Sequence, residues 1–296
     1  MMPASNPSTT LRAAALSLLL LALLIGVWHL ATLPRTVSGP AVTLTPEQIE
    51  YAKLMGKDVS AVSAGTETKA SGFPTPAQLG AAMVDQLSRP FYDNGPNDKG
   101  IGVQLAHSLG RVGLGFAIAA VVAIPLGFLI GMSPLLYRAL DPFIQVLKPI
   151  SPLAWMPLAL YTIKDSSISG VFVIFICSVW PMLINTAFGV AGVRREWLNV
   201  AKTLEVTPLR KAFEVILPAA APTILTGMRI SMGIAWLVIV AAEMLVGGTG
   251  IGYFVWNEWN NLALTNVIFA ILVIGVVGMA LDAMFARLQK VVTYAE

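Results

Sequence analysis

The chain has 296 residues, of which 56% are hydrophobic and 12% charged. Soluble domains are about a quarter charged, so most of this protein has lipid as its solvent. A net charge of +3 gives no reason to expect nucleic acid. The single cysteine, Cys177, excludes a disulfide framework or a Cys-built metal site, and His29 and His107 lie too far apart in sequence to suggest a histidine cluster.

A bilayer core about 30 Å thick takes roughly 20 apolar residues per helix. Backbone groups in lipid must be satisfied internally, which selects helices. Six spans are expected: Ala13–Leu33, Val103–Met132, Ala139–Ile163, Ile168–Gly192, Thr223–Val246 and Leu264–Phe285. The first is longer than a signal-peptide core and has no small-residue cleavage site after it, so it reads as an uncleaved anchor. The third is interrupted by Pro142, Pro149, Pro152 and Pro157. Residues 34–102 form a long polar loop with short helices expected over Thr45–Lys57 and Pro76–Ser88.

Orientation follows from the bias of Lys and Arg in short loops. Arg12, Arg138, Arg287 and Lys290 fall on the same side as the loop carrying Arg194, Arg195, Lys202, Arg210 and Lys211. That side is read as the cytoplasm, with both termini on it and the 34–102 loop outside. The organisation is thus an anchor over 1–33, an outer loop over 34–102, a core over 103–290 and a tail over 291–296.

Residues 194–218, RREWLNVAKTLEVTPLRKAFEVILP, are amphipathic twice over. Trp197, Val200, Ala201 and Leu204 share one helical face, and Leu209, Ala212, Phe213 and Ile216 repeat the spacing. Thr207 suits an N-cap, Pro208 a first helical residue, and Pro218 is expected to end the second helix. An amphipathic hairpin on lipid headgroups would have the same pattern. A DNA-binding helix-turn-helix is disfavoured by its weak charge and its tether between two spans. The remaining reading is a docking element for a soluble protein.

This stretch resembles the EAA loop of ABC importer permeases. Asn199, Val200 and Ala201 stand for Glu-Ala-Ala, Glu205 stands where Gly is usual, and Val215, Ile216, Leu217 and Pro218 close the motif, with Val215 in place of Ile. In that family the loop inserts into a groove on an ATPase. The resemblance therefore assigns a coupling role to Trp197, Asn199, Val200, Ala201, Leu204, Glu205, Thr207, Pro208, Phe213, Leu217 and Pro218. A narrower resemblance covers about residues 76–290. The stretches NDKGIGVQLAHSLGRV, KPISPLAWMPLAL, VFVIFICSVWPMLINTAFGV and LTGMRISMGIAWLVIVAAEMLVGGTGIGYFVWNEWN, with the pair Leu281 and Asp282, are similar to permeases of nitrate importers. Relatives of those handle bicarbonate or cyanate and, more distantly, taurine and alkanesulfonates.

The resemblance implies an all-α, type I ABC importer permease (MetI-like) fold: a core of about five helices after the anchor, and a homodimer in the inner membrane. It implies two ATP-binding subunits that hold ATP-Mg, and a periplasmic or lipid-anchored substrate-binding protein. No cofactor or metal is expected on this chain, which lacks a Gly-x-x-x-x-Gly-Lys-Ser/Thr phosphate loop. It is expected to be a non-catalytic transport subunit working by alternating access. An ion-coupled secondary transporter would call for inverted repeats or midplane carboxylates in several spans, neither of which is clear here. A membrane enzyme ranks last, since His-Glu-x-x-His and Gly-x-Ser-x-Gly are both absent.

Charged residues inside spans face cavities or partners. Candidates for the pathway are Lys148, Trp155, Asn185, Trp236 and Glu243. Lys148 suits an anion, whereas Glu243 would repel one and fits a gate or packing element. Each also has a plainer reading: an ion pair or headgroup contact for Lys148 and Glu243, a packing kink at Trp155, interhelical glue for Asn185. Arg229 reads as a residue snorkelling to the inner interface.

Overall fold

The computed structural model describes residues 7–33, 35–38, 47, 49–50, 66–69 and 72–292. The chain forms two compact units, Met1–Asp85 and Gln86–Glu296.

The first unit opens with α1 (Pro7–Ala31), a Leu/Ala-rich helix. Its stretch Leu11–Ala31 has a mean hydropathy of 2.3 and buries none of its most apolar window, as expected of a helix solvated by lipid. Thr32 closes it, with Oγ1 donating to the Trp28 carbonyl at 2.9 Å. The Trp28 indole donates to Pro74 O at 3.0 Å and meets Phe73 edge-on. A short ribbon pairs β1 (Arg35–Ser38) antiparallel with β2 (Thr66–Lys69). The expected helix over Thr45–Lys57 falls almost wholly outside the described residues. The one over Pro76–Ser88 is present as α2 and begins with a capping box. Thr75 Oγ1 accepts from Gln78 N, and Gln78 Oε1 accepts from Thr75 N.

The second unit contains α3 (Ile101–Met132), α4 (Pro134–Leu147), α5 (Pro152–Ile163), α6 (Ser166–Ala191), α7 (Arg195–Thr203), α8 (Pro208–Lys211), a π-helical turn (Ala212–Ile216), α9 (Leu217–Val246), α10 (Ile251–Asn260) and α11 (Leu264–Val292). Over the described residues of both units, five helical stretches are long and apolar enough to cross a membrane, and α4 with α5 makes a sixth if that bent pair is one span. The hinge between α4 and α5 turns the chain by 89°. Pro142 and Pro157 sit inside α4 and α5 without breaking them. The break falls between Pro149, which lacks an amide hydrogen, and Pro152, which opens α5 and biases Ser151 away from helix.

The helices approach closely where their residues are small. On α3, Gly115, Ala119, Ala123, Gly127 and Gly131 recur every fourth residue. A Cβ on Gly127 would lie 2.7 Å from Leu183 O, and one on Gly131 2.6 Å from Ala187 O, so the α3 and α6 backbones touch along this stripe. Met156, Val173, Cys177, Val238 and Ala242 fill the space between α5, α6 and α9. Val190, Val193, Ile216, Ala220 and Ile224 form a second core beside the 194–218 loop.

Pro218 does not end a helix. The helix runs unbroken from Pro208 to Val246, so the second amphipathic segment is the start of the span. Proline in a helix clashes with the carbonyl four residues before it. Here the wider π-helical turn over Ala212–Ile216 precedes it, with Leu217 N donating to Ala212 O.

Candidate functional site

The 194–218 loop turns much of its apolar surface outward. Ala201 is buried, but Trp197, Val200, Leu204, Leu209 and Phe213 are exposed, Leu204 by 71%. Asn199, Glu205, Thr207 and Pro218 are exposed as well, and Leu217 is half-buried. Thr207 stands at the N-cap position of α8 without a side-chain capping bond. The exposed side chains fall on two faces. Trp197, Val200, Leu204 and Val206 line a cleft of about 540 Å³ together with Arg210 and Glu214, whose side chains pair at 2.8 Å. Leu209 and Phe213 line a separate, almost wholly apolar cleft of about 480 Å³ against Pro125, Phe128 and Met132 of α3.

The turn between α7 and α8 has a defined geometry. Val206 N donates to Ala201 O and Glu205 N to Lys202 O, the bond pair of a Schellman motif. Glu205 occupies its left-handed position, at φ 52°. This is the position where the resembled motif has glycine, and glycine is the residue that adopts this conformation without penalty.

At the opposite end of the unit, Glu243 of α9 is the centre of a buried network. It is 4% exposed. Arg111 of α3 donates through Nη1 to Glu243 Oε1 at 2.7 Å and to Thr249 O at 2.6 Å. Its Nε donates to Ser167 Oγ at 3.0 Å. Ser108 Oγ lies 2.9 and 2.8 Å from the two Glu243 oxygens. The network serves the N-terminus of α10, whose first amides have no partner within their own helix. Gly250 N donates to Gln104 Oε1 at 2.6 Å, Ile251 N to Ser108 Oγ at 2.9 Å, and Gly252 N to Glu243 Oε2 at 3.0 Å. A carboxylate there also meets the positive end of the helix dipole. Gly250 leaves room for this: a Cβ at that position would collide with the Glu243 carboxyl group. Tyr253 and Asn257 of α10 hold Asn97 in the turn before α3. In that turn, the hydrogen bond from Lys99 and a second from Gly95 N–H hold the Asp93 carboxyl below the usual carboxylate range.

Of the candidate pathway residues, the structure brings Lys148 and Trp155 together. Both line a cleft of about 310 Å³ at the α4–α5 hinge, with Trp180 and Ile234. Asn185 lies where α6 crosses α9: its amide donates to Pro181 O at 2.8 Å and its Cβ packs on Gly227. The Trp236 indole donates to Ile274 O at 3.0 Å and ties α9 to α11. Glu243 stands apart from that cleft, in its ion pair with Arg111. Arg229 does not simply snorkel. It holds Asp282 of α11 through two bonds of 2.6 Å.

Gln104, Ser108 and Arg111 were not anticipated as partners of Glu243. Their spacing of four and then three residues puts three polar groups on one face of an apolar helix, which is the signal that could have found them.

Residues 123–294 match the family described as "Binding-protein-dependent transport system inner membrane component". The chain is 46% identical over 226 residues to the nitrate import permease protein NrtB of Synechocystis sp., covering 76% of this chain and 82% of that one. It is 45% identical over 207 residues to the bicarbonate transport system permease protein CmpB of Synechocystis sp., covering 70% and 74%. A solved structure of the MetNI methionine ABC transporter in an inward-facing conformation aligns with TM-score 0.58 at 14% identity, over 72% of this chain and 99% of that one, and shares the fold. The match over 123–294, the close relatives and the shared all-helical fold together place this chain in the family of binding-protein-dependent transport system inner membrane components, as an ABC importer permease.

Proposed function

We propose that this chain is the membrane-spanning subunit through which an ATP-driven importer moves a small inorganic anion, nitrate, across the inner membrane by alternating access. The observation that carries the coupling part is the 194–218 loop, whose Trp197, Val200 and Leu204 stand exposed beside the Arg210–Glu214 pair. An apolar patch rimmed by charge suits a protein partner. The partners are two cytoplasmic ATP-binding subunits, which carry ATP-Mg and hydrolysis, and an external substrate-binding protein; a second copy of this chain completes the translocation unit. Both termini face the cytoplasm, in keeping with the basic residues that share the side of the 194–218 loop. ATP-driven closure of the ATPases moves the loops of the two copies together and shifts the population from inward-facing to outward-facing.

Nitrate is supported by the 46% identity to a nitrate import permease. Bicarbonate is the second reading, on the 45% identity to a bicarbonate permease. Lys148 and Trp155, which share the cleft at the α4–α5 hinge, are the part of the pathway that meets the anion. Asn185, Trp236 and Glu243 hold the helices that frame it.

The test reconstitutes the chain in vesicles with its ATP-binding subunits and binding protein, and measures ATP hydrolysis with nitrate, bicarbonate, cyanate or taurine. Stimulation by nitrate, lost in Leu204→Asp, is the expected result. Stimulation by bicarbonate alone replaces the substrate and keeps the architecture. Transport driven by an ion gradient without any ATPase overturns the proposal.

A further inference from the structure

We infer that the inner half of the anion route is a groove between α4 and α6, in which Lys148 and Arg138 are successive anion-binding residues; the inference rests on the anion-importer reading above. Two clefts meet at Lys148. One is the hinge cleft with Trp155. The other, about 420 Å³, runs toward the 194–218 loop between α4 and α6 and reaches Ala191. On α6 the lining begins at Ile176 and ends at Ala191, and it stays on one helical face through Trp180, Ile184 and Phe188. Fifteen residues of helix span about 22 Å, most of the hydrocarbon thickness of a bilayer.

The two walls differ in chemistry. The α6 wall of the second cleft is Leu183, Ile184, Ala187, Phe188 and Ala191, with no polar side chain. The α4 wall has Pro134 and Ile144 as its apolar part and presents Tyr137, Arg138, Asp141 and Gln145, with Lys148 at the C-cap of the helix. Spacings of three and four residues align these groups along one face of α4. Arg138 and Lys148 are ten residues apart, about 15 Å along the helix. Among the described residues no salt bridge engages either cation, while Arg111, Arg210 and Arg229 each hold a carboxylate. Both side chains are exposed in the single chain, and a lysine and an arginine with no carboxylate partner on the wall of a cleft are available to an anion that enters it. Asp141 lies between them, with Oδ1 accepting from Gln145 Nε2 at 3.4 Å. A carboxylate between two cations keeps the groove from becoming a trap. An anion passes from Lys148 to Arg138 and leaves.

The chemistry recognised is an oxyanion, which a transported anion and an anionic lipid headgroup both offer. We assign the groove to the transported anion, and the test separates the two. The assembled transporter is placed in vesicles of phosphatidylcholine, with or without phosphatidylglycerol, and uptake of isotope-labelled nitrate and bicarbonate is followed. Lys148→Gln and Arg138→Gln each should slow uptake by on the order of tenfold, the factor for loss of one charge-assisted hydrogen bond. Lys148→Arg and Arg138→Lys should recover most of the rate, which a variant that merely misfolds would not. The loss should be the same in both vesicle types. Wild-type uptake in both Gln variants overturns the groove and leaves the importer reading standing. So does loss confined to vesicles containing phosphatidylglycerol, which assigns the cations to headgroups. A wild-type transporter that imports neither anion overturns both.

Discussion

Arg111 and Glu243, 132 residues apart in sequence, meet at 2.7 Å with 15% and 4% of their side chains exposed. The pair joins α3 to α9, and through Ser108 and the α10 amides it also sets where α10 begins. Removing one member of a buried pair leaves the other charged and unsatisfied, which costs about 3–5 kcal/mol. Glu243→Ala should therefore lower the unfolding temperature of the detergent-solubilised protein sharply. Glu243→Gln should fall between it and the wild type, because its carbonyl can still accept from Gly252 N–H. Equal unfolding temperatures for Glu243→Ala and wild type would show that the network adds nothing.

Gly250→Ala tests the same network without removing a charge. Its added methyl group would occupy the space of the Glu243 carboxyl group, so either α10 or Glu243 must move. Overpacking of this kind typically costs 1–3 kcal/mol. Gly233→Ala is the control, since nothing lies within 4 Å of a Cβ there. The expected reading is a lower unfolding temperature for Gly250→Ala alone; matched values for the two would mean that this junction yields freely.

Glu205 makes the opposite prediction. A left-handed conformation costs an L-residue roughly 1–2 kcal/mol, and Glu205 holds φ 52°. Glu205→Gly relieves that penalty, at the expense of some extra freedom in the unfolded chain. The variant should be more stable by up to about 1 kcal/mol, read as a higher unfolding temperature. A lower one would show that the Glu205 side chain contributes more than its backbone costs.

The sequence carried the span positions because lipid leaves little choice. Charge-free runs such as Val112–Tyr137 must be helical, and the helix α3 does run through most of that stretch, to Met132. It also carried the amphipathic loop, whose 3.6-residue period is visible without a structure. Three things were hidden. Four prolines in the third span look alike in sequence, yet only Pro149 and Pro152 coincide with the break, while Pro142 and Pro157 lie inside α4 and α5. Pro218 reads as a stop, but a π-helical turn lets the helix pass it. Glu243 reads as an isolated charge because Arg111 and Ser108 lie more than 130 residues away, and only tertiary contact pairs them.

The loop offers a last and sharper prediction, because its two apolar faces differ in what surrounds them. Leu209 and Phe213 share a cleft with Pro125, Phe128 and Met132, all apolar, at the end of a membrane helix. That environment suits lipid tails. Trp197, Val200 and Leu204 share theirs with Arg210 and Glu214, and Arg194 stands over the Trp197 ring at 5.6 Å. That environment suits a protein. An Asp at Leu204 should uncouple the ATPase while leaving the permease folded, since that side chain is largely exposed within its own chain. An Asp at Phe213 should instead weaken membrane stability, a charge facing lipid costing about 2.5–3.5 kcal/mol at the helix centre and less near the interface. The measurement pairs the two readouts on the same samples: substrate-stimulated ATP hydrolysis and the unfolding temperature in vesicles. Leu204→Asp should lose the first and keep the second, with Phe213→Asp losing stability. If Phe213→Asp abolishes stimulation at an unchanged unfolding temperature, both faces belong to the ATPase contact and the helix from Pro208 onward docks as one surface.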